Sequence, residues 1–300
     1  MGGGKWRWVE GLSGGVLLGV VRYSAMTTVV QARTLTSAAL HELHARWGPY
    51  QLLRHGGEVV LGNWWRAQRY YAMHETRSSS HMVYTLGHRY DRGLRRRAEE
   101  SGHRLVAMEN GHLLKYEVLG MCEKRGCCVA SPYTGDQTGL LTLRRLREMK
   151  GGNLPALEVR RAVEHLLGGV KAMHSVGLSD GALSLDRALV DRRGSVVIEL
   201  PALPLLFNGP EHDQHEMRRA DLLAVGRMTY ELLYGREPGP RGVERVSSAP
   251  QSAWDLWLAS ALDACEGFAS AQEAIELLPT EPVEAPSKSV VRQLIDWIRG

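Results

Sequence analysis

In the middle of the chain, apolar residues recur at three- and four-residue spacing. Val159, Ala162, Val163, Leu166, Leu167, Val170 and Met173 keep that rhythm and so share one face of a helix. Gly177 follows, a residue that tolerates positive φ and ends a helix at little cost. After a short polar loop, the apolar triplet Ala188-Leu189-Val190, the turn Asp191-Arg192-Arg193-Gly194 and the run Val196-Val197-Ile198 predict a small hairpin. Upstream the pattern changes. Val59-Val60-Leu61 and Tyr70-Tyr71-Ala72-Met73 are β-prone runs separated by Gly62-Asn63, with Trp64 and Trp65 between them. Residues 113–119 and 127–130 predict a second hairpin about Glu123-Lys124-Arg125-Gly126. Helical patterns are predicted at 35–47, at the strongly basic segment 89–104, at 138–149, and again beyond residue 220. Strands thus dominate before Ser131-Pro132-Tyr133-Thr134-Gly135 and helices after it, which predicts an α+β chain with a joint at that point.

Composition narrows the function classes only a little. Three hundred residues with 44% hydrophobic and 23% charged content suit one large globular domain or two modest ones. A net charge of +4 is too small to argue for a nucleic-acid partner, and we expect none. No stretch is long and apolar enough to predict a membrane span. Four cysteines without a paired C-x-x-C do not make a zinc site. Cys122 and Cys127 flank a predicted turn. Buried thiols are the default reading, and an oxidising compartment would open the alternative of a disulfide. At the start of the chain, Lys5 and Arg7 precede an apolar stretch over residues 14–21, with Ser24 and Ala25 after it, as in a secretory signal. Glu10 and the glycines fit a loosely packed leader equally well, so both readings stay open.

The central stretch carries a resemblance. Met-His-Ser-Val-Gly-Leu-Ser-Asp-Gly-Ala-Leu-Ser-Leu-Asp-Arg-Ala-Leu-Val-Asp, residues 173–191, runs without a gap along the protein kinase catalytic-loop pattern L-H-S-x-G-[IV]-x-H-R-D-L-x-x-x-N-[IV]-L-[LV]-D. Met173, His174, Ser175, Gly177, Leu178, Leu183, Leu189, Val190 and Asp191 match in kind. Ala220-Asp221-Leu222-Leu223-Ala224-Val225-Gly226 continuing to Tyr230-Glu231-Leu232-Leu233-Tyr234-Gly235 resembles the central large-lobe helix, and Phe268-Ala269-Ser270-Ala271-Gln272-Glu273-Ala274-Ile275 a later one. The resemblance covers residues 51–278. It implies a bilobal kinase-like α+β fold, with a small β-rich lobe over 35–130 and a larger helical lobe over 131–278. Residues 1–34 would be a leader, and 279–300 a linker with a terminal helix.

The chemical positions of that pattern are altered. The base aspartate falls on Ala182, the histidine before it on Asp180, the metal-binding asparagine on Arg187, and the metal-binding aspartate eighteen residues past Ala182 on Leu200. Of the glycine-rich loop only Gly57 remains, ahead of Val59, because Leu52 and Arg54 hold the earlier glycine positions. Counting on from Val59 puts the phosphate-binding lysine at His74, whose imidazole is no permanent phosphate anchor. Asp221 is expected to hold the loop backbone and Glu211 to end a very short activation segment, its arginine partner replaced by Phe268.

The expectation is therefore a catalytically inactive pseudokinase that binds no cofactor and acts as a protein-binding scaffold or allosteric partner. The alternative is an atypical nucleotide-dependent kinase whose metal site is rebuilt on Asp180 and Glu199. Arg187 is expected to pair with one of those two carboxylates. Residues 183–198, with their Asp-Arg-Arg-Gly turn, look similar to the rhoptry kinase-like proteins of apicomplexan parasites. That similarity implies secretion into a parasite organelle or vacuole, with an active kinase or a host or vacuolar protein as partner. Without it, the cytoplasm is the expected location.

Overall fold

A computed structural model describes residues 7–12, 15–17, 46–62, 65–76, 79–86, 92–122, 126–135, 139–204, 214–239 and 252–280. The first half is organised by one antiparallel sheet. Its strands are β1 (Arg7–Leu12), β2 (Gly15–Leu17), β3 (Arg46–Trp47), β4 (Tyr50–Leu61), β5 (Trp65–His74), β6 (Ser80–Leu86), β7 (Val118–Cys122) and β8 (Gly126–Pro132). They lie in the order β2-β1-β7-β8-β6-β5-β4-β3. Helix α1 (Arg92–Ala107) rests against β1 and β7.

The period-two rule sorts the sheet's side chains cleanly. Ala67 of β5, Met82, Tyr84 and Leu86 of β6, Leu119 of β7 and Cys127 and Val129 of β8 join the main core. The alternate positions Ala72, Val83, Val118, Cys128 and Ala130 gather with Trp47 and Tyr50 in a second cluster on the opposite face. One strand therefore serves two cores, and a residue's parity decides which side it sees.

The second half is helical: α2 (Leu143–Met149), α3 (Ala156–Ser175), α4 (Gln214–Tyr234), α5 (Ala253–Ala261) and α6 (Ala271–Glu276). Thr142, Ser252 and Ser270 cap α2, α5 and α6 by accepting from amides three residues on, at 3.2, 3.1 and 3.1 Å. Helix α3 buries all seven residues of its predicted face, and Gly177 ends it at φ 73°. Helix α4 is buried nearly all round between α3 and α5. A Cβ at its Gly226 would stand 2.7 Å from the Ala261 carbonyl, so glycine there sets how closely α5 approaches. Beside the helices lies a small sheet of β9 (Leu141–Thr142), β10 (Ala188–Val190) and β11 (Val196–Ile198), in the order β11-β10-β9. The Asp191 carboxylate closes the β10–β11 turn by accepting from Arg193 N and Ser195 N, each at 2.8 Å.

The local expectations need several corrections. Residues 52–57 do not form a loop. They lie inside the long strand β4, where two register shifts take up Leu53 and Gly56 as extra residues, and Gly57 (φ 99°) stands opposite Arg69. The reversal comes where Gly62 was predicted to separate the two β-prone runs, and the runs extend into one long hairpin. Arg46 and Trp47 are a strand rather than the end of a helix, residues 35–45 lying outside the described part. Arg7–Leu12, in the expected leader, pairs with β7. The basic helix runs over Arg92–Ala107, and the helix expected at 138–149 is Leu143–Met149 preceded by a strand. Residues 113–114 run beside Ile198 instead of forming β7. Glu211, the Glu123–Arg125 turn and the terminal helix all lie outside the described residues.

Across the β7–β8 hairpin, Cys122 faces Gly126 and Cys127 faces Met121, so the two cysteines are not cross-strand partners. Cys127 is a free, buried thiol, and burial pushes it up to about 12. Cys128 is likewise buried, whereas Cys265 is exposed. Alkylation of the native protein near pH 8 followed by peptide mapping should therefore label Cys265 at once, and Cys127 and Cys128 only under denaturing conditions. Labelling of Cys127 in the native state would show that this core is open.

Candidate functional site

The two halves meet around the loop after α3 and the segment leaving β11. The foundation is Asp221, fully buried on α4. Its carboxylate accepts from the backbone amides of Asp180 at 3.0 Å and Gly181 at 2.6 Å, and lies 3.0 Å from His174 Nε2. Burial pushes Asp221 above the usual carboxylate range, against the pull of its hydrogen bonds to His174, Gly181 and Asp180. A carboxylate in such a place requires donors, and the loop backbone supplies them. Gly181 makes the approach possible: its φ is 71°, and a Cβ there would overlap the Met217 side chain.

On that loop stands Asp180, also fully buried, and it holds Arg187 from the start of β10. The fork is bidentate, Nη1 to Oδ1 at 2.5 Å and Nη2 to Oδ2 at 2.8 Å. The same guanidinium donates to the carbonyls of Ala182 at 2.8 Å, Glu199 at 2.9 Å and Leu200 at 2.8 Å. Asp180 in turn accepts from Ala182 N at 3.0 Å and Ala202 N at 2.9 Å. Burial works against the Arg187 charge, but the Asp180 carboxylate more than reverses this and holds the guanidinium above its ordinary value. These contacts pin a strained turn, since Leu200 (φ 50°) and Ala202 (φ 57°) are non-glycine residues in the left-handed region. Each such residue costs on the order of 1 kcal/mol or more.

From the sheet side come Arg69 and Tyr84. Arg69 of β5 meets the fully buried Glu199 through Nε to Oε1 at 2.9 Å and Nη2 to Oε2 at 2.6 Å, and the Tyr84 hydroxyl donates to Oε1 at 2.7 Å. Burial, then the Glu199 charge, pushes Tyr84 well above the ordinary phenol value, so it stays a neutral donor. Burial again opposes the Arg69 charge, and Glu199 outweighs it. Next along the segment, the Tyr116 hydroxyl donates to the Pro201 carbonyl at 2.9 Å. Tyr71, two residues beyond Arg69, packs edge-on against Tyr133 of the joint with ring centroids 5.5 Å apart. At the hairpin tip, a Cβ on Gly62 would touch the Ala182 Cβ at 3.6 Å, so the tip sits directly on the loop.

The structure thus brings Asp180, Ala182, Arg187, Glu199 and Leu200 together, with Arg187 choosing Asp180 and leaving Glu199 to Arg69. Gly57 and Val59 belong to strand β4, Val59 buried on the main-core side. His74 is misplaced by the expectation. It lies at the far end of β5 on the parity of Tyr70 and Ala72, against Tyr50 and His81 at 5.0 and 5.9 Å between ring centroids, and faces away from the cleft. Counting from Val59 assumed that β4 ended early, whereas it runs on to Leu61. Arg69, Tyr71 and Tyr84 were missed. The available signal was an arginine, Arg69, at an alternate position of a strand rich in aromatic residues.

These residues do not fit a nucleotide with its metal. A hard divalent cation takes several oxygen donors, yet the two carboxylates nearest the vacated positions each already hold a guanidinium. Among the described residues, no group of three or more His, Cys, Asp or Glu is placed to hold a metal ion. Arg69→Ala would leave the Glu199 carboxylate buried without its cation, at a cost of about 3–5 kcal/mol. Urea unfolding should show that loss, and Arg69→Met combined with Glu199→Gln should recover much of it. Equal losses in the single and double variants would mean that the pair is not the source.

No protein-family model matches the chain, and no curated protein matches it in sequence. Solved structures do. The kinase domain of Mycobacterium tuberculosis PknI superposes with a TM-score of 0.62 at 17% identity, covering 82% of this chain and 98% of that one. The Drosophila melanogaster PAN3 pseudokinase gives 0.62 at 13% identity, covering 84% of this chain and 70% of that one. A mutant of the Neurospora crassa PAN3 pseudokinase gives 0.63 at 11%, covering 91% and 70%. With the sheet lobe, the helical lobe and the loop between them in the same arrangement, the chain has the protein kinase fold.

Proposed function

We propose that this chain is a pseudokinase, a kinase-fold protein that works by binding another protein and transfers no phosphate. One observation carries the reading. The buried Arg69–Glu199–Tyr84 cluster stands across the cleft while Gly62 rests on Ala182, so no layer is left between the sheet and the loop for phosphates. Phosphoryl transfer relies on positioning and on metal-borne charge stabilisation. Here the base position is an alanine, the two metal positions are Arg187 and Leu200, and the nearby oxygens are committed to guanidinium groups. The atypical-kinase reading would need Asp180 and Glu199 each to surrender an arginine before either could hold a metal. The likeness to PAN3 pseudokinases, a likeness of fold, is consistent with the proposal.

The proposed partner is a protein. The resemblance of residues 183–198 to rhoptry kinase-like proteins supports secretion, with an active kinase or a host or vacuolar protein as that partner. Thermal unfolding with ATP, with and without Mg²⁺ or Mn²⁺, tests the first step. We expect no metal-dependent rise in Tm. Ligand at about a hundredfold excess over Kd stabilises by about 2.7 kcal/mol, so a Mg²⁺-dependent rise of several degrees contradicts the proposal.

A further inference from the structure

Five oxygen atoms converge on the end of one side chain. Asp180 Oδ1 and Oδ2 and the carbonyl oxygens of Ala182, Glu199 and Leu200 all accept from the terminal nitrogens of Arg187, at 2.5 to 2.9 Å. The stem nitrogen Nε is buried and has no hydrogen-bond partner. The surroundings therefore recognise the planar, charged end of the group and not the side chain that delivers it. The oxygens are also held in place by contacts that do not involve the guanidinium. Asp180 N is anchored to Asp221, Asp180 oxygens accept from Ala182 N and Ala202 N, and Glu199 N donates to the Arg187 backbone carbonyl at 2.7 Å.

We propose that this is a binding site for a planar organic cation, guanidinium or amidinium in class, which the chain fills with its own Arg187. The donor–acceptor lengths suit N–H groups, while a small hard cation such as Mg²⁺ would draw its oxygens in to about 2.1 Å. The charge that settles the left-handed Leu200–Ala202 turn is then covalently built in, and the turn holds its shape without any supply of metal. The inference rests on the cage alone and stands or falls separately from the nucleotide test, because an oxygen cage of this shape is defined whether or not ATP binds elsewhere in the cleft.

Chemical rescue tests it. Arg187→Ala removes the cation and leaves the cage, and Arg187→Met does the same while retaining apolar packing along the stem. Either variant should melt on the order of 10 °C below the parent. Guanidinium chloride at roughly 50 mM, where its denaturing effect is small, should raise the Tm of the variants and leave that of the parent unchanged or slightly lower. Urea, tetramethylammonium chloride and MgCl₂ at the same concentration should not raise it. Should the variants emerge unfolded, refolding from urea followed by far-ultraviolet circular dichroism gives the same contrast, with native signal recovered only when guanidinium is present. The proposal is overturned if guanidinium and urea act alike on the variants, if Mg²⁺ rescues and guanidinium does not, or if the variants melt with the parent.

Discussion

A carboxylate removed from water must be given a cation or donors, and three of them lie fully buried along the middle of this molecule: Glu199, Asp180 and Asp221. Each is answered differently. Glu199 takes Arg69 and Tyr84 from the sheet, Asp180 takes Arg187 from β10, and Asp221 takes backbone amides of the loop together with His174. Linked by short stretches of backbone, these contacts run from the sheet to the central helix. The placement of Gly62 on the loop and the left-handed turn at Leu200–Ala202 both depend on that chain of contacts.

On the proposed pseudokinase reading, the same contacts explain how a kinase fold persists without kinase chemistry. A cleft that binds and releases a nucleotide must leave its polar groups available. Here the carboxylates of Asp180 and Glu199 are instead taken up by the guanidinium groups of Arg187 and Arg69. Buried ion pairs of this kind are poor sources of net stability but costly to break on one side, which favours one lobe arrangement over many. A fixed arrangement suits the proposed role of presenting a surface to a protein partner.

Much of the fold could be read from periodicity. The seven-residue face of α3, its end at Gly177 and the β10–β11 hairpin follow from local spacing, and the loop beside them from the ungapped match over residues 173–191. Asp180 and Arg187 were legible because they lie seven residues apart in one loop-and-strand unit. Arg69 and Tyr84 were not, since their contacts with Glu199 span 130 and 115 residues and no local pattern encodes them. His74 was misassigned for a geometric reason. A strand's face is fixed by its register, and counting on from Val59 did not allow for β4 continuing to Leu61 before the chain turns back into β5. Cys122 and Cys127 show the same limit, because the turn register sets Cys127 opposite Met121.

The central claim is that the buried arginine–carboxylate contacts hold the cleft in one state without a ligand. Native-state hydrogen exchange at three amides reads this directly: Gly181, which donates to Asp221, Glu199, which donates to the Arg187 carbonyl, and Ala202, which donates to Asp180. The account predicts that all three exchange only through opening near the global unfolding free energy, and that Mg·ATP changes none of them. Exchange through a low-energy local opening, or protection gained on adding Mg·ATP, would contradict it.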